Sequence, residues 1–193
     1  LRNLAHDNPA NQTAIREAGG IPPLVALLTA GVDSEAASEA AGALAHLACD
    51  EAANQDAIRE AGGIPPLVTL VAAGAGSMAA YNAARALWYL TYDNPANANA
   101  IREAGGIAPL VVLLAAGAYS LAATRAAGAL WNLACDNLAN QTAIREAGGI
   151  APLVALLAAG ADSEAATTAA GALHNLVYSN PANQTAIRQA GGI

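Results

Sequence analysis

The chain repeats itself every 43 residues, and that period constrains its fold more than any other feature. The string Ile15-Arg16-Glu17-Ala18-Gly19-Gly20-Ile21 returns from Ile58, Ile101 and Ile144, and once more from Ile187 with Gln189 in place of Glu. Nothing is inserted or lost between copies. Complete units run 8–50, 51–93, 94–136 and 137–179, with partial units at 1–7 and 180–193. A unit this short buries too little apolar surface to fold alone, so the units must stack and share a core. Residues 1–193 therefore read as one repeat domain.

Each unit reads as three helices. The first follows the Asn-Pro-Ala-Asn of 8–11, where Asn8 or Asn11 caps it and Pro9 suits the first turn. It ends at Gly19. The second opens at Pro22-Pro23, carries Leu24, Val25, Leu27 and Leu28, and stops at Gly31. The third is the longest, with Ser34, Ser77, Ser120 and Ser163 as N-caps. Its core positions, Ala37, Ala40, Ala41, Leu44, Leu47 and Ala48, recur at helical spacing. No segment shows the alternation that a strand needs. The fold class is all-α, a solenoid, and the 55 alanines suit close helix packing. Gly42, Gly128 and Gly171 interrupt the third helices. Each costs about 1 kcal/mol relative to alanine, which predicts either a close backbone approach or an open ligand surface.

Charge and chemistry exclude several functions. The net charge is −7, and the eight basic residues are scattered arginines with no lysine. This disfavours nucleic acid and anionic membranes as partners. Apolar runs such as 110–116 reach seven residues, short of the roughly 20 that a membrane span needs. Cys49 and Cys135 hold the same phase two repeats apart, too far for a disulfide, whose Cα atoms lie within about 7 Å. Free thiols predict a reducing, intracellular setting, cytoplasmic or nuclear. His46 and Cys49 share a helix face but lack further metal ligands. The Gly-Gly pairs lack the lysine of a phosphate loop. The reading is a non-enzyme without metal or cofactor.

Two segments, Gly-Ile-Pro-Pro-Leu-Val-Ala-Leu-Leu at 20–28 and Ala-Ala-Gly-Ala-Leu-Trp-Asn-Leu-Ala at 126–134, resemble the signature of the armadillo repeat family. The resemblance covers the whole chain. It implies a right-handed superhelix whose third helices line a concave groove that binds extended peptides. It also implies an Asn on each third helix that holds peptide backbone. The matching positions are Asn3, His46, Tyr89, Asn132 and Asn175, so Asn is kept at three. The Trp that the family places four residues earlier falls on Gly42, Arg85, Gly128 and Gly171. Trp88 and Trp131 stand instead one residue before the Asn position.

Differences between units concentrate in the third helices. In the second unit, Met78, Tyr81, Asn82, Arg85, Trp88 or Tyr89, and Tyr92 lie opposite the core stripe of Ala80, Ala83, Ala84, Leu87 and Leu90. In the third unit the corresponding stripe is Leu121, Arg125, Gly128, Asn132 and Cys135. Aromatics with Arg and Asn are the residues enriched at binding hot spots. The candidate peptide contacts are Glu39, His46, Tyr81, Asn82, Arg85, Trp88, Tyr89, Tyr92, Arg125, Trp131, Asn132, Asn175 and Tyr178. Asn132 and Asn175 would hold backbone, Arg85 and Arg125 would meet carboxylates, and the aromatics would supply area. The competing expectation packs the tryptophans between helices and pairs the arginines with acids of neighbouring units. The partial units expose uncapped faces, which predicts a homodimer or a head-to-tail oligomer. The near-identity of the units also fits a second function: a consensus-like array, designed, reconstructed or environmental, that assembles through its ends without a dedicated ligand.

Overall fold

A computed structural model describes residue 5 and residues 8–192. The first unit contains α1 (Pro9–Glu17), α2 (Ile21–Leu27, extended by a 3-10 turn over Leu28–Ala30) and α3 (Glu35–Ala48). The second contains α4 (Ala52–Glu60), α5 (Ile64–Val71) and α6 (Met78–Leu90). The third contains α7 (Pro95–Glu103), α8 (Ile107–Leu114) and α9 (Leu121–Ala134). The fourth contains α10 (Leu138–Glu146), α11 (Ile150–Leu156, extended over Leu157–Ala159) and α12 (Glu164–Val177). Helix α13 (Pro181–Gln189) opens the last partial unit. Among the described residues there is no strand, and no single helix is long and apolar enough to cross a membrane.

The local signals act as expected. Asn8, not Asn11, caps α1, its side chain accepting from the Asn11 N–H at 3.1 Å. Asn94, Asn137 and Asn180 cap α7, α10 and α13 in the same way. Ser34, Ser77, Ser120 and Ser163 cap the third helices by accepting from the N–H three residues on. The second helices begin one residue before the expected Pro, at Ile21 and its copies. Each first helix stops where Gly19 and its copies take φ of 74 to 80°, the left-handed turn that only glycine adopts without strain.

Packing is densest along the third helices. Helices α3, α6, α9 and α12 contact one another in sequence and form a continuous layer. Their inward stripe is buried: Leu44, Leu47, Leu87, Leu90, Leu130 and Leu133 are all 0 % exposed. Burying each such leucine contributes roughly 1.5–3 kcal/mol.

A polar network ties each first helix to the third helix before it. Asn54, Asn97, Asn140 and Asn183 are 0 % exposed. Each donates its side-chain amide to the carbonyl seven residues earlier: Leu47, Leu90, Leu133 and Leu176, at 2.8–2.9 Å. Those carbonyls belong to the last turn of a helix and have no intrahelical partner. Gln12 and Gln55 span further. Each donates back to a carbonyl of the preceding unit (Ala5 or Ala48) and forward to the third helix of its own unit (His46 or Tyr89).

Candidate functional site

The face formed by the third helices holds most of the predicted contact residues. Tyr81, Arg85, Trp88 and Tyr89 of α6 are partly exposed, and Tyr81 and Trp88 meet Arg125 of α9. The Arg125 guanidinium lies 5.4 Å from the Trp88 ring centre and 5.9 Å from that of Tyr81. The Arg85 guanidinium lies 5.7 Å from the Tyr81 ring. Trp88 and Tyr89 stack at 5.7 Å and 6°. Contacts of this kind hold the cations in place by cation–π attraction.

Several roles change. Asn82 is not a groove residue: it is 0 % exposed and donates to the Ser38 backbone carbonyl and hydroxyl, locking α6 to α3. Arg125 is not left for a ligand carboxylate, because it pairs with Glu164 of α12. Burial opposes its charge, but the hydrogen bond to Tyr81 and the Glu164 carboxylate outweigh burial and raise its pKa above the ordinary value. Arg85 points back to α3, toward the Gly42 carbonyl at 3.4 Å and His46 Nε2 at 3.3 Å. Burial raises the Tyr89 phenol, with Cys49 adding to the shift and Arg85 and Arg125 opposing it. Both arginines thus belong largely to the protein's own surface.

The tryptophans follow the packing expectation and stay partly exposed. An alanine Cβ at Gly128 would sit 2.6 Å from Cδ2 and Cε2 of Trp88. One at Gly171 would sit 2.5 Å from the same atoms of Trp131. The third-helix glycines of units three and four are therefore seats for the indole of the preceding unit. The close approach expected at Gly128 and Gly171 is made by a side chain rather than by backbone.

Asn132 and Asn175 are half-buried on the same face. Each is oriented by donating one amide proton to the preceding third helix, Asn132 to the Trp88 carbonyl at 3.1 Å and Asn175 to the Trp131 carbonyl at 3.0 Å. Tyr92 and Tyr178 are 53 % and 61 % exposed just past the ends of α6 and α12. Glu39 is exposed and His46 half-buried on α3, and Asn3 lies outside the described residues.

Sequence reasoning missed a cleft of about 320 Å³ between units two and three. Thr91, Tyr92, Asp93, Ala98, Asn132 and Asp136 line it. Its cause is legible at one position. The phase occupied by Gln12, Gln55, Gln141 and Gln184 holds Ala98 in the third unit. The carboxamide that would donate to the Thr91 and Asn132 carbonyls is therefore missing. Asp93 and Asp136 turn into the cleft's rim at φ of 49° and 46°, a left-handed conformation that Asp tolerates better than most residues. Cys135, exposed at the rim, has its thiol pKa raised by burial and by the carboxylates of Asp136 and Asp93. Neither Cys49 nor Cys135 forms a disulfide, and the Cys49 thiol donates to Asp50 at 3.4 Å. Among the described residues no group of three His, Cys, Asp or Glu side chains could hold a metal ion.

The model of the armadillo/beta-catenin-like repeat matches residues 8–49, 52–92, 94–135 and 137–178. The fold is similar to that of an engineered protein at 38 % identity and a TM-score of 0.90, covering 99 % of this chain and 76 % of that one. It is also similar to a designed armadillo repeat protein at 30 % identity and a TM-score of 0.87, covering 98 % and 78 %. A further designed armadillo repeat protein, solved in complex with the peptide (KR)4, matches at 29 % identity and a TM-score of 0.87, covering 98 % and 78 %. No curated protein sequence matches the chain. With its repeats matched unit by unit and its three-helix solenoid shared with designed armadillo proteins, this chain belongs to the armadillo repeat family.

Proposed function

We propose that the chain is a peptide-binding scaffold that takes an extended segment along the concave face of α6, α9 and α12. The observation that carries this reading is the pair Asn132 and Asn175, each fixed by one bond to the preceding helix. A side chain held in this way presents an acceptor and a donor without losing further rotamer freedom, the arrangement suited to a peptide's backbone N–H and C=O. Trp88 and Trp131 flank the pair and offer rigid apolar edges.

The charge of the preferred peptide follows from the ion pairing. Glu164 occupies Arg125, and Arg85 is turned toward α3. The cleft beside Asn132 has carboxylates at Asp93 and Asp136 and two carbonyls without the glutamine amide found elsewhere. A basic side chain of the peptide supplies both the charge and the donors that this cleft lacks. The designed relative in complex with (KR)4 supports the same polarity.

The test is selection of peptides from a display library, followed by titration using tryptophan fluorescence. Asn132→Ala and Asn175→Ala should each weaken binding by about tenfold, the loss expected when a backbone hydrogen-bond pair goes unmade. Affinity equal to the parent's in both variants would remove the proposal. Light scattering over the same concentrations separates peptide occupancy from the alternative, an array that only stacks on itself, in which mass rises and no peptide is retained.

A further inference from the structure

The N-terminal edge of the third helices carries a second surface, set apart from Asn132 and Asn175. The first residue of these helices is Glu35 in α3 and Glu164 in α12. A carboxylate there is favoured by the helix dipole. In the two middle helices the same position holds Met78 and Leu121, 63 % and 62 % exposed. Tyr119, just before the α9 cap, is 98 % exposed where units one and four have Asp33 and Asp162. The chain thus gives up a favourable charge twice, in adjacent units, and replaces it with apolar surface turned to solvent. Packed helices lie about 8–10 Å apart, so these residues form one patch rather than isolated exposures.

The surroundings of the patch are asymmetric. Toward the first unit it opens into a cleft of about 630 Å³ lined by Val32, Asp33, Glu35, Ala73 and Met78. Toward the fourth unit the carboxylate of Glu164 is paired with Arg125. Net negative potential is therefore concentrated at the first-unit end. A second copy of this chain, with net charge −7, would bring the same acidic end against itself or against Asp162. That disfavours self-pairing through this edge.

We propose that the edge formed by Met78, Tyr119 and Leu121 docks a partner segment with apolar anchors followed by basic residues, the basic end lying over Asp33 and Glu35. The segment sits on the rim of the solenoid and needs neither groove asparagine. Its anchors cover Met78 and Leu121, and its cations meet the carboxylates of the first-unit cleft.

The chain provides its own probe, because Met78 is its only methionine. Carbon-13 labelling of the methionine methyl gives one resonance that reports on this surface alone. The ligand used is a short synthetic peptide with a leucine-rich centre followed by paired arginines. Two control peptides replace the arginines by glutamates or the leucines by serines. The first peptide should shift the methyl resonance saturably, and both controls should leave it in place. The double variant Met78→Glu, Leu121→Glu places at both sites the residue that units one and four already use, so it keeps the fold. By fluorescence anisotropy, compared in the Asn132→Ala background that disables the groove, it should lose at least about tenfold in affinity for the first peptide, while Asn132→Ala alone should keep the saturable shift of the Met78 methyl. Failure of the first peptide to shift the Met78 methyl of the parent, unchanged binding by the double variant, or loss of that methyl shift in Asn132→Ala would each overturn the proposal. The last outcome would place the peptide in the groove. Retention of this site with no groove binding would separate the two surfaces in the opposite sense.

Discussion

The seat of Trp88 on Gly128 makes a sign-reversal prediction. In an ordinary helix interior, Gly→Ala stabilises by about 1 kcal/mol because alanine loses less backbone entropy. At Gly128 the new methyl would stand 2.6 Å from two indole carbons and 3.0 Å from the ring nitrogen. Carbon contacts prefer about 3.5–4.0 Å, so the indole must move by about 1 Å. It is not free to do so, since Tyr89 stacks beside it and the Arg125 guanidinium lies 5.4 Å from its centre. Overpacking of this kind costs about 1–3 kcal/mol, and restraint on several sides favours the upper end. The expected net effect of Gly128→Ala is a destabilisation of about 2 kcal/mol once the helical gain is subtracted. In a Trp88→Ala background the clash is gone, and the same substitution should stabilise by about 1 kcal/mol. Urea unfolding of the four proteins, followed by circular dichroism, gives the coupling energy, expected near 3 kcal/mol. If Gly128→Ala stabilises the parent as much as it stabilises the Trp88→Ala variant, the indole does not rest on this glycine and the reasoning fails.

Other consequences are simpler to check. Ala98→Gln restores the residue that bridges two carbonyls in units one and two, so it should stabilise by about 0.5–1.5 kcal/mol while reducing affinity for a basic peptide through filling of the cleft; urea midpoints and fluorescence titration read the two effects. The Asp56 carboxyl is held below its ordinary value of 3.8 by hydrogen bonds from Asn94 and Arg59. A depressed folded-state pKa adds stability that is present above the unfolded pKa and lost as pH falls through the folded one. Asp56→Ala should therefore be less stable than the parent at pH 7, with the gap closing in acid; a gap independent of pH would contradict the assignment. Cys135 is exposed, yet its thiol pKa is raised by burial of its surroundings and by Asp136 and Asp93. Alkylation by iodoacetamide at neutral pH should run slower than that of a free peptide thiol and accelerate in Asp136→Asn.

The period, the helices and their punctuation were legible because they are local. Ser34 and its copies cap where a serine precedes a helical run, and Gly19 and its copies stop a helix where only a left-handed residue fits. Contacts between units were not legible in the same way. Asn82 and Arg125 share a phase, but Asn82 faces the small Ser38 and is buried, whereas Arg125 faces Tyr81 and reaches Glu164. What a position does depends on its partner about 44 residues earlier, and helical periodicity alone does not pair the two. The glycines signalled a close approach without naming Trp88 or Trp131 as its source. The buried Asn54, Asn97, Asn140 and Asn183 left a usable signal: a polar residue repeated inside the buried turn of every first helix must be hydrogen-bonded.

The most direct test of the account is a crystal structure of the chain with a selected basic peptide. An extended peptide should lie along α6, α9 and α12, its backbone bonded to Asn132 and Asn175 and one basic side chain between Asp93 and Asp136. A peptide lying instead on the first helices, or bound with both asparagines untouched, would contradict it.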